Sequence, residues 1–114
     1  VSAGVVLHEA IEAVKSARLQ DKVQIIDLYC VKPYPVEAMR EAVEASNGVL
    51  AVFEEHSPEG GIGEATIRAV AEKAQKFAHV AVDRIPRSAT PEQLLHSYGL
   101  SAAAIAERIK SMLK

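Results

Sequence analysis

Apolar residues change their period from one segment of the chain to the next, and the changes mark out alternating helices and strands. From residue 5 to 19, Leu7, Ala10, Ile11, Val14 and Arg18 recur at helical spacing, with His8, Glu9, Glu12 and Lys15 on the other faces. Residues 23–28 are short, rich in β-branched side chains and flanked by polar residues, which predicts a strand. A second helix is predicted over 35–45. Pro35 stands near its first turn, where a missing amide costs nothing, and Asn47-Gly48 closes it with residues that accept a left-handed backbone. The apolar run 49–54 predicts a strand, residues 63 to about 76 a helix, and 79–84 a further strand. Thr90-Pro91-Glu92 opens a short helix that ends near Tyr98-Gly99. Ser101 is placed as the N-cap of a last helix over 102–113, whose negative end suits Lys110 and Lys114.

Strands separated by helices imply parallel pairing with right-handed crossovers. The fold class is therefore α/β, a three-layer α/β/α sandwich with a mainly parallel sheet. Val1-Ser2-Ala3-Gly4 reads as the end of a strand running into a helix, so the first strand is expected to be truncated and the chain to be a domain of something longer. No internal repeat, low-complexity tract or linker divides residues 1–114, which are read as one domain.

Composition narrows the classes of function. A chain of 114 residues should bury about two-thirds of its unfolded surface, enough for a single core. Formal charge is −2 with no basic block, which disfavours a nucleic-acid partner. One cysteine, Cys30, makes no internal disulfide and suits a reducing, cytoplasmic compartment. No apolar run approaches the roughly 20 residues that span a bilayer, and no signal peptide is legible, so no membrane partner is expected.

Candidate chemistry centres on the strand-to-helix turn over residues 54–65. Gly60, Gly61 and Gly63 superficially suggest a phosphate cradle, but the dinucleotide fingerprint wants Gly or Ala where Thr66 stands, and the P-loop wants a missing Lys-Ser/Thr pair. Glu64, near the helix N-terminus, already complements the dipole and would repel an anion. A tight structural turn is the preferred reading. Glu54, Glu55 and His56 form a potential acid–base group at a strand end, set against the plainer reading of solvated or capping charges. The four histidines, at 8, 56, 79 and 96, are scattered, so no metal site is expected. Cys30 is read as a small buried hydrophobe rather than a nucleophile. Arg84 and Arg87 flank a rigid proline ahead of Ser88 and could clamp an acidic group or pair with surface carboxylates. Lys32 sits in the stiff Lys-Pro-Tyr-Pro loop.

In order along the chain stand Gly4-Val5-Val6-Leu7-His8-Glu9-Ala10, Ile26-Asp27-Leu28, Lys32-Pro33, and Val52-Phe53-Glu54-Glu55-His56. They are followed by Glu59-Gly60-Gly61-Ile62-Gly63-Glu64-Ala65, Arg84-Ile85-Pro86-Arg87-Ser88 and Pro91-Glu92-Gln93-Leu94-Leu95. This series resembles the C-terminal domain of transketolases over essentially the whole chain. Some of the motifs are shared with 1-deoxyxylulose-5-phosphate synthases and the 2-oxo-acid dehydrogenase beta subunits, which remain alternatives. The Arg-Ile-Pro-Arg-Ser and Thr-Pro-Glu-Gln-Leu-Leu runs favour transketolase.

The resemblance implies a parent enzyme of the pentose phosphate pathway that moves a two-carbon ketol unit between sugar phosphates with thiamine diphosphate and Mg. It also implies that cofactor, metal and catalytic residues lie on other domains, that the parent is a homodimer, and that this chain alone is inactive. No catalytic, cofactor-binding or metal residue is carried over. The family's sheet has five strands, and the resemblance implies that an antiparallel edge strand lies outside this chain. Family members often have Asp where Pro35 stands. The contrasting reading is a free-standing binding or interaction module using the strand-end crevice near Asp27, Lys32, Glu54, His56, Arg84 and Arg87. An exposed apolar patch on one face would favour the first reading, and a closed polar surface with one well-formed pocket the second.

Overall fold

A computed structural model describes residues 1–114. Its elements are α1 (Val5–Ser16), α2 (Val36–Ala45), β1 (Val49–Phe53), α3 (Ile62–Val70), β2 (Lys76–Val80), α4 (Pro91–Ser97) and α5 (Ala102–Leu113). β1 and β2 pair in parallel, with Val49 opposite Lys76 and Phe53 opposite Val80. The pairing runs on beyond both strands: Glu54 N–H donates to the Val80 carbonyl at 3.0 Å, and Val82 N–H to that of His56 at 2.9 Å.

Two further extended segments complete the sheet. The nitrogen of Val1 donates to the Ala51 carbonyl at 2.7 Å, and Phe53 N–H to that of Val1 at 3.1 Å. On its other side Ser2 N–H donates to the Ile26 carbonyl at 3.0 Å and the Ser2 carbonyl accepts from Leu28 N–H at 2.9 Å, a parallel bridge between Ser2 and Asp27. Residues 26–28, 1–3, β1 and β2 therefore lie side by side and point the same way. The strand expected over 23–28 is realised only at its carboxyl half. Ladder bonds need a neighbour, and residues 1–2 offer one only to 26–28. Val23, Gln24 and Ile25 instead border a cavity of about 670 Å3, lined also by Leu50, Ile109 and Met112.

Helices cover both faces, as expected for the three-layer sandwich. On one, Val6, Ala10, Ala13 and Val14 of α1 meet Ile105, Ala106 and Ile109 of α5 over Phe53. On the other, Met39 and Val43 of α2 and Val70 of α3 close over Leu28 and Leu50. The period-2 alternation of β1 sends Leu50 and Phe53 to opposite layers.

Element boundaries differ from expectation for local reasons. α1 stops at Ser16, and Arg18 takes a left-handed φ of 55° on the surface, so it is not part of the apolar stripe. The helix expected to reach about residue 76 ends at Val70. There the Gly48 carbonyl accepts from Gln75 N–H at 2.9 Å and Lys76 N–H at 3.1 Å, which turns the chain into β2 three residues before the strand expected over 79–84. Asn47 and Gly48 do adopt positive φ, 53° and 75°, at the end of α2. Pro35 takes the N-cap position of α2 and supplies no side-chain cap. Thr90 and Gln93 form a reciprocal capping box on α4.

Ser101 does not cap α5 through its side chain. Its hydroxyl is buried without a partner. Glu9 of α1 reaches across instead and accepts from Ala102 N–H at 2.7 Å, tying the two helices of that layer together. At the far end Lys76 Nζ, rather than Lys110 or Lys114, donates to the carbonyls of Ser111 at 3.4 Å and Met112 at 2.9 Å. Lys110 pairs with Glu107.

Candidate functional site

Glu54 is the first residue after β1, and strand alternation puts it on the same face as Val52, beneath the start of α3. The residue is buried, 4 % exposed. A buried carboxyl group needs hydrogen-bond partners, and it has three. Ile62 N–H donates to Oε2 at 2.7 Å, Gly63 N–H to Oε1 at 3.0 Å, and the His79 Nε2 stands 2.5 Å from Oε1. The first two are amides of the opening turn of α3, the position at which an anionic ligand would be held. The protein fills that position with its own carboxylate. Glu64 plays a separate part, its Oε2 accepting from Gly60 N–H at 2.8 Å.

This arrangement explains two of the three glycines in the turn. A Cβ on Gly61 would stand 2.7 Å from the Glu54 carboxyl carbon, and one on Gly63 would overlap the His79 ring. Close approach of α3 to the sheet at this point therefore requires hydrogen at both positions. The expected structural turn is found, with Glu64 in the first turn of α3 as expected and Glu54 added as the carboxylate that accepts from its opening amides.

The potential acid–base group of Glu54, Glu55 and His56 is not assembled, and the plainer reading holds for Glu54, whose carboxylate caps neighbouring backbone. Glu54 faces inward, whereas Glu55 and His56 are exposed. His56 turns back on its own loop, with Nδ1 2.8 Å from the Ser57 carbonyl and 3.3 Å from its hydroxyl. The partner of Glu54 is His79, 25 residues away. Sequence reasoning missed it because β2 was expected three residues later. In the observed register His79 lies opposite Val52, on the same face as Glu54.

The arginine clamp does not form either. Arg84 donates through Nη2 to the Ser97 carbonyl at 2.6 Å and hydroxyl at 2.9 Å, and its guanidinium lies 4.9 Å from the centre of the Tyr98 ring. It pins the exit of the sheet to α4. Arg87, Ser88 and Lys32 are exposed. A shallow notch of about 380 Å3 opens between Ser57–Glu59 and Val82–Pro86. Cys30 is half-buried, not buried, with Sγ 3.5 Å from the Pro33 carbonyl. The Tyr34 hydroxyl donates to Thr66 Oγ1 at 2.8 Å, joining the loop before α2 to α3. Burial raises that phenol's pKa above its usual value, and the hydrogen bond to Thr66 acts against the rise.

The residues do not fit thiamine diphosphate and its metal. The backbone donors suited to a diphosphate already hold Glu54, and no group of three or more His, Cys, Asp or Glu side chains gathers to hold an ion.

The fold and site together define a class: a three-layer α/β domain whose strand-end glycine turn is closed by an internal carboxylate. The family model for the transketolase C-terminal domain matches residues 1–105. Human transketolase is 34% identical over 115 residues, which cover 99% of this chain and 18% of that protein. Transketolase-like protein 1 of Bos taurus is 37% identical, with 99% and 19% covered. A solved split-gene transketolase, an inactive beta4 tetramer, superposes with a TM-score of 0.83 at 27% identity, over 98% of this chain and 37% of that one. The chain belongs to the transketolase C-terminal domain family. It spans about a fifth of the length of the curated relatives it matches.

Proposed function

We propose that this chain is the non-catalytic C-terminal domain of a transketolase, in a parent that transfers a two-carbon ketol unit between sugar phosphates. In this reading thiamine diphosphate and Mg bind on the other domains, and the present domain organises the subunit and its dimer. The observation that carries it is the internal closure of the strand-end motif. Glu54, the buried carboxylate where such folds place ligands, is held by the first turn of α3 and by His79. A relative described as an inactive beta4 tetramer supports a role in assembly rather than chemistry.

The test is ketol transfer with saturating thiamine diphosphate and Mg, by the chain alone and mixed with the thiamine-binding domains of a matched transketolase. The expected result is no turnover alone and gained or stabilised turnover on mixing. Turnover by the chain alone would refute the assignment of the chemistry to other domains.

A further inference from the structure

We draw no further inference here: the strongest candidate, the apolar cavity of about 670 Å3 between residues 23–26 and β1, lies in line with residues 1–3, so a strand that filled it would restate the family's sheet already described, and nothing in the structure points to another occupant.

Discussion

Replacing Glu54 by alanine strikes the one group that joins β1, β2 and α3. The substitution removes the acceptor for Ile62 N–H at 2.7 Å and Gly63 N–H at 3.0 Å and the partner of His79 at 2.5 Å. Hydrogen bonds to a charged group contribute about 1.5–3 kcal/mol each, and a buried donor left without a partner costs about 1–3 kcal/mol. The three do not add fully, because they share one carboxylate and His79, 19 % exposed at its side chain, can turn to water. A loss of about 3–5 kcal/mol follows, a large part of the roughly 5–15 kcal/mol available to a domain. With a urea m-value of about 2 kcal/mol/M, the midpoint should fall by about 1.5–2.5 M. Urea unfolding followed by circular dichroism reads this directly. Glu54→Gln keeps one acceptor and should lose about half as much. A loss below about 1 kcal/mol for Glu54→Ala would refute the claim that this carboxylate holds the turn.

Gly63→Ala should destabilise by about 1–3 kcal/mol through overlap with the His79 ring, and by much less when His79→Ala is also present, a coupling that a double-mutant cycle measures. Glu9→Ala should cost about 1 kcal/mol as the loss of the α5 cap, whereas Ser101→Ala should be neutral or stabilising because its buried hydroxyl has no partner; thermal melts of the two variants decide the order. Tyr34→Phe should lose about 1 kcal/mol at neutral pH. Because burial raises the Tyr34 pKa above the usual 10.0, the folded state favours the neutral phenol. Its contribution stands below pH 10 and is lost as pH rises through the folded value, which unfolding of wild type and Tyr34→Phe between pH 8 and 11 should show as converging stabilities.

The layer order was legible because helical and strand periods differ sharply in this chain, and the transketolase motifs fix the family from the residues alone. The capping of α4 was equally legible, since Thr90 and Gln93 lie within one turn. What the sequence concealed depends on register. The β2 strand opens with Lys76, whose exposed side chain reads as helix surface, and its start is set by the Gly48 carbonyl from a distant turn. That shift hid His79 as the partner of Glu54 and left His56, its neighbour in sequence, as the histidine weighed beside it. The cap on α5 was missed for the same reason, because Glu9 is 93 residues from the amide it accepts from. Arg84 and Arg87 share a motif but not a task, since only Arg84 reaches Ser97 and Tyr98.

The most direct test of the central claim, that the strand-end motif is closed from within and holds no ligand, is a titration of the chain with thiamine diphosphate and Mg followed at the Ile62 and Gly63 amides by NMR. The account predicts that both resonances stay unmoved at millimolar ligand. Saturable shifts at these two amides would contradict it, for they would mean that the ligand displaces Glu54 from the start of α3.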